Sequence, residues 1–281
     1  MKIFGNTKHA FMCTDPGTGK LMWFSADGKI TQEICVKANC FDAWQLADKN
    51  ILYAHFGDGE DGVTLIDENN NAVFTYLTEG EVFGCQPLEN GNVLVAEVAK
   101  RRIVEVNRKG QVVFEIPVSS TEDNHECMRM ARKYSNGYYV VQPGREEIVH
   151  YDLNGKLKKV YKTRHDTFGV VVKDNGNILY TYMDGVVELD EDGNEVWKLI
   201  DNDIPDINIR WILGIQLLEN GNMVLSNWLG HGHLNEGIQF FEITQNKDLV
   251  WYCDCREETV IPSSLQILDE SAELVCYKPT R

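Results

Sequence analysis

The feature that most constrains this chain is that it repeats itself. A short apolar run, a polar turn and a second apolar run recur. They read "QLADKNILYAH" from Gln45, "PLENGNVLVAE" from Pro87, "RKYSNGYYVVQ" from Arg132, "VKDNGNILYTY" from Val172 and "LLENGNMVLSN" from Leu217. A weaker copy, "ILDESAELVCY", begins at Ile267. Asn-Gly and Asp-Gly turns supply the positive φ that tight hairpins need, so each copy predicts two antiparallel strands. A second pattern follows in "VTLIDENNNAVFTY", "RIVEVNRKGQVVFEI", "EIVHYDLNGKLKKVY", "GVVELDEDGNEVWKL" and "IQFFEITQNKDLVWY". Alternating strands about an Asx or Gly turn read as another hairpin. One unit is therefore four strands, innermost first.

The residues that close each first turn are Asn50, Asn92, Tyr138, Asn177, Asn222 and Ala272. Four-stranded propeller blades run about 40–50 residues, which is the spacing these markers keep. From Ala272 round through the termini to Asn50 there is room for one blade plus an extra strand or tail, not two. The expectation is an all-β, six-bladed β-propeller of four-stranded antiparallel blades, with seven blades as the alternative. The 281 residues form a single propeller domain in this reading, with blades at 38–79, 80–118, 119–163, 164–201, 202–255, and 256–281 with 1–37. The N-terminal "GKLMWFSADGKITQEI" offers outer strands and the C-terminal "SSLQILDESAELVCY" the inner half of a blade. The last blade is thus expected to draw on both ends, closing the ring without free sheet edges.

At this point the residues resemble the bacterial PQQ-like and arylsulfotransferase-like propellers. The resemblance rests on the "NGN-apolar" hairpin followed by Asp-x-x-Gly and an outer-strand tryptophan. "CTDPGTGKLMWFS", Cys13 to Ser25, looks like the tryptophan-docking motif of quinoprotein blades, with Asp15, Thr18, Gly19, Lys20 and Trp23 in order. The resemblance implies that Trp23, Trp197 and Trp251 dock one blade onto the next. Quinoprotein dehydrogenases of this kind have eight blades and an acidic calcium site with vicinal cysteines, and the chain shows neither pattern. Fold alone does not confer activity.

The net charge of −16 argues against nucleic acid or an anionic membrane as partner, since both reward Lys and Arg. The chain begins without an apolar segment of signal-peptide type, which predicts a cytoplasmic protein. Eight cysteines, Cys13, Cys35, Cys40, Cys85, Cys127, Cys253, Cys255 and Cys276, mostly sit in apolar alternation and read as buried free thiols. "CDC" at Cys253–Cys255 has no second cysteine pair at zinc-site spacing. No phosphate loop, nucleophile elbow or dinucleotide fingerprint occurs. No cofactor is expected.

A propeller's ligand site is expected at one mouth of its channel. The loops leading into the inner strands and the hairpins between second and third strands fall on that side. Five of the seven histidines belong to these loops: His55, His125, His165, His231 and His233. So do Arg129, Arg145, Arg210, Trp211 and Trp228. Arginine forks bind carboxylate, sulfate or phosphate, and tryptophan faces stack on sugar rings. The expected partner is therefore a small polar or anionic, carbohydrate-like molecule in a central funnel, bound and in some cases processed there. His125 and His165 are the candidate acid and base. Arg129, Arg210, Trp211, Arg145, Trp228, His231, His233 and His55 are the candidate ligand contacts. His231 and His233 would need a third or fourth ligand, for which His165 or His55 is available, but nothing in the sequence fixes that geometry, and no metal is expected. Ordinary polar loops, a protein-interaction scaffold and an arylsulfotransferase-like enzyme are the competing readings. Sequence leaves oligomeric state open.

Overall fold

The computed structural model describes residues 2–5, 8–36, 39–57, 59–120, 124–234 and 236–268, without the side chains of 124 and 125. It is the six-bladed β-propeller, built of six antiparallel sheets. The first blade holds Ala43–Gln45, Ile51–His55, Gly62–Ile66 and Ala72–Leu77. The second holds Cys85–Pro87, Val93–Glu97, Arg102–Val106 and Val112–Pro117. The third holds Ala131–Tyr134, Gly137–Gln142, Glu147–Tyr151 and Leu157–Lys162. Val170–Val172, Ile178–Tyr182, Gly185–Leu189 and Glu195–Ile200 make the fourth. Trp211–Leu217, Met223–Trp228, Phe240–Ile243 and Leu249–Asp254 make the fifth. The sixth is Leu265–Ile267, Phe11–Asp15, Lys20–Phe24 and Ile30–Cys35.

The blades group into two compact units, one around Lys37–Val170 and the other around Met1–Val36 with Val171–Ser271. Each has its own apolar core. Trp44, Leu52, Val63, Val95 and Val104 pack together in the first unit. In the second, one cluster gathers Leu179, Val186, Ile215 and Phe241, and another Phe11, Phe24, Phe240 and Trp251.

The sixth blade joins the two ends of the chain, but not as two C-terminal strands on two N-terminal ones. Leu265–Ile267 is innermost and pairs directly with Phe11–Asp15. Three strands therefore come from the N-terminus. The marker Ala272 and the "ELVCY" run lie outside the described residues. Lys2–Phe4 adds a fifth strand to the outer edge of the fifth blade, pairing with Tyr252–Asp254.

The turn chemistry that marked the repeats does more than bend the chain. In every blade the ladder between third and fourth strands shifts register by a bulge, as at Glu105/Val106 and Glu188/Leu189. The adjoining turns place Asn70, Gly110, Gly155, Gly193, Lys247 and Gly28 at left-handed φ. That is the geometry of a type I turn closed by a bulge. The last Asn of three "NGN" turns also reaches sideways. Asn92, Asn177 and Asn222 donate Nδ2 to Glu105, Glu188 and Glu242 of the third strands, at 3.5, 2.7 and 2.6 Å.

Blades dock through side chains onto backbone. Trp197 Nε1 donates to Gln245 O at 2.9 Å, from the fourth blade to the fifth. Trp44 Nε1 donates to Cys85 O at 2.7 Å, a dock the sequence reading did not single out. Arg132, buried in the third blade, donates to Asp42 Oδ2 at 2.9 Å and lies over the Trp44 ring. Trp251 is wholly buried against Phe11 and His9. Cys13, Cys40, Cys85, Cys127, Cys253 and Cys255 are buried thiols outside any disulfide, while Cys35 is exposed. Burial pushes the thiols of Cys13, Cys40 and Cys255 up.

Candidate functional site

One group of loop residues in the fifth blade is assembled around Asn227. This side chain is fully buried at the end of the second strand. Its Oδ1 accepts the backbone N–H groups of Arg210 and Trp211 at 3.0 and 3.3 Å. Its Nδ2 donates to Asn208 O and Ile238 O at 3.1 and 3.0 Å. One amide thereby fixes the loop leading into the inner strand and both ends of the hairpin after Trp228. Ile238 N donates to Ile207 O across the same junction.

The hairpin "NWLGHGHLNEG" is anchored rather than loose. Leu229 is buried. A Cβ on Gly237 would meet Ile207 O and Leu229 Cδ2, each at 2.7 Å, so only glycine fits. Gly230 and Gly232 adopt φ of +84° and +83°, which an L side chain resists. These glycines shape the loop; they are not there for flexibility alone.

On that frame Trp211 and Trp228 lie opposite each other in the ladder. Their rings are 5.1 Å apart at 32°, and both side chains are half-buried. Both indole Nε1 atoms are buried and meet no acceptor among the described residues. His231 stands edge-on to Trp228 at 5.0 Å. Beside them Glu236 Oε2 accepts from Arg210 Nη2 at 2.9 Å and meets His233 Nδ1 at 2.8 Å. Asn208 Nδ2 donates to the Glu236 carbonyl. Trp211, Trp228, His231, His233 and Arg210 are thus one group. Glu236, Asn227 and Asn208, which complete it, were not singled out from sequence.

The remaining candidates belong to the other compact unit. There the Arg129 guanidinium lies over Phe83 at 4.9 Å and Phe168 at 5.5 Å. Phe41 and Phe56 continue that aromatic cluster. Burial pushes the Arg129 guanidinium below its usual value, and the carboxylates of Glu126, Asp166 and Glu81 oppose the shift. The recurring "CFDA", "VFGC" and "TFGV" of the lead-in loops was the available signal for the phenylalanines. His165 is exposed, next to Asp166 at a φ of +54°. His125 sits in the helical turn Asn124–Cys127, and its side chain lies outside the described residues. Arg145 is exposed and bonds Glu147 at 3.2 Å. His55 is wholly buried inside the first blade, with Nε2 at 2.9 Å from Thr64 Oγ1. At the end of a fully buried strand it is placed as a core residue rather than at a surface. Among the described residues no three His, Cys, Asp or Glu side chains gather in a metal-binding cluster.

No family model and no curated protein sequence matches the chain. Solved structures do. A protein of unknown function from Bacteroides caccae superposes with a TM-score of 0.82 at 22% identity, covering 92% of this chain and 98% of that one. A streptogramin B lyase gives 0.63 at 15% identity, over 89% of this chain and 81% of that one. A catalytically inactive virginiamycin B lyase from Staphylococcus aureus, solved with quinupristin, gives 0.64 at 12% identity, over 94% and 92%. The likeness is one of fold.

Proposed function

We propose that the protein binds a small, polar, ring-shaped molecule of carbohydrate-like form on the Trp211–Trp228 face. The observation that carries this reading is the paired, half-exposed indoles whose N–H groups find no acceptor among the described residues. An indole that leaves its donor buried and unpaired costs stability, about 1–3 kcal/mol. Such violations concentrate where function fixes a side chain. The rings offer flat apolar surface for a sugar face, and Arg210, His231 and His233 stand beside them to meet polar substituents. Titration with methyl glycosides and uronates, followed by tryptophan fluorescence and calorimetry, tests it. Trp228→Ala is expected to weaken binding by at least about tenfold. No saturable binding of either class, or equal binding to Trp228→Ala, sinks the reading.

The Cys13–Ser25 hairpin supports grouping the chain with PQQ-like propellers. A second reading, catalytic, is favoured by the His233–Glu236 pair. A carboxylate on Nδ1 fixes the tautomer and orientation of an imidazole and presents Nε2 as a general base must be presented. The lyases among the structural neighbours make elimination the reaction class to assay. A fall in kcat in His233→Ala that exceeds its loss of ligand affinity supports it; an unchanged kcat rules out that role.

A further inference from the structure

We infer that Glu236 occupies the position of the ligand's own anionic group, so that the site selects a carboxylate-bearing ring over a neutral one. The inference rests on the binding role of the Trp211–Trp228 face and adds the class of molecule bound there.

Arg210 presents a planar fork of donors that matches a carboxylate. In the structure an internal carboxylate fills that role. Arg210 Nη2 and the His233 ring converge on one oxygen of Glu236, at 2.9 and 2.8 Å. Both donors flank the tryptophans along the chain: Arg210 immediately precedes Trp211, its N–H sharing Asn227 Oδ1 with that of Trp211, and His233 lies on the hairpin that follows Trp228. The side chains of Arg210, His233 and Glu236 are 43, 45 and 46% exposed. Ion pairs this exposed contribute little to stability, so exchange for an incoming carboxylate costs the fold little. A buried pair could not exchange in this way.

The loop is built for such an exchange. Asn208 holds the Glu236 carbonyl, and Gly237 is packed against Ile207 O. The backbone is therefore held at Glu236 and Gly237, and the Glu236 side chain is held through its exposed contacts to Arg210 and His233. An arriving carboxylate inherits both donors. A neutral sugar has no group that replaces Glu236, and it leaves the triad as it stands. The discrimination then comes from Arg210 and His233, while the tryptophans supply contact area to both kinds of ring.

The test is calorimetric titration of glucuronate and of methyl glucoside into wild type, Glu236→Gln and Arg210→Met. Wild type is expected to bind glucuronate about tenfold more tightly. Glu236→Gln, which removes the competing charge, is expected to strengthen glucuronate severalfold and leave methyl glucoside unchanged. Arg210→Met is expected to bring glucuronate down to the level of methyl glucoside. The preference is expected to shrink with added salt, because the charges are exposed. All three side chains are exposed, and unchanged thermal midpoints confirm folded variants. If Glu236→Gln weakens both compounds alike, Glu236 is a direct acceptor for ligand hydroxyls and the inference is overturned. Equal binding of the two compounds to wild type overturns it while leaving the platform reading intact. Binding of neither removes the platform and the inference together.

Discussion

At the scale of single residues, buried charges do the specifying. Glu242 is 1% exposed and holds two donors, His9 Nε2 at 2.8 Å and Asn222 Nδ2 at 2.6 Å. Burial alone would raise its carboxyl, but the bonds from His9 and Asn222 outweigh it and hold the carboxyl below its ordinary value. A carboxylate depressed in the folded state stabilises the fold above its unfolded value, near about pH 4.3. That contribution is lost as pH falls through the lower folded value. Glu242→Gln is therefore expected to cost about 1–3 kcal/mol at neutral pH and to flatten the acid limb of stability against pH. Urea melts at about pH 7, 5 and 3.5 would show it, and a mutant curve parallel to wild type would refute the assignment. The same scale holds the candidate site. Asn227 was legible only as a polar residue before a tryptophan. Its four bonds join segments separated in sequence, and no local pattern encodes them.

At the scale of elements, the recurring hairpins carry two signals in one motif. The glycine sets the turn, and the following Asn ties the turn to a third strand. Asn177 Nδ2 to Glu188 Oε1 at 2.7 Å is one of the tighter cases, with Lys173 on the same carboxylate at 3.0 Å. Asn177→Ala keeps a turn former at Gly176 yet removes the lateral bond. A loss of about 1 kcal/mol is expected. Asn177→Asp should lose more, because it sets a second carboxylate against Glu188. Denaturant midpoints of the two variants check the order; equal losses would show that the turn alone matters. The turn half of this motif was readable from the sequence, since φ requirements are local. The lateral half was not, because the glutamate's partner depends on a bulge in the neighbouring ladder.

At the scale of the whole molecule, Asp15 joins the two ends of the chain. Its Oδ1 accepts the Gly17 and Ile261 N–H groups at 3.1 and 2.8 Å. Its Oδ2 accepts Thr18 Oγ1 and the Val260 N–H at 3.0 and 2.9 Å. Asp15→Ala is expected to take the shared acceptor from these four part-buried donors and cost about 1–3 kcal/mol. Hydrogen exchange should rise first in 11–15 and 259–267, the strand pair that Asp15 braces. Uniform loss of protection across all blades would instead mean that the closing blade is no weaker than the rest.

The repeat spacing, the turn residues and the apolar alternation determined four-stranded blades, six of them, with the last shared between the chain ends. Those are short-range properties, set by backbone φ and by which face of a strand is apolar. Only the tertiary structure decided that Phe11–Asp15 lies against Leu265–Ile267 and that His55 is core. It also brought Arg210, His233 and Glu236 to one oxygen beside two tryptophans. Each of these depends on packing between residues far apart in the chain, where burial and hydrogen-bond partners are settled by neighbours that no local window contains.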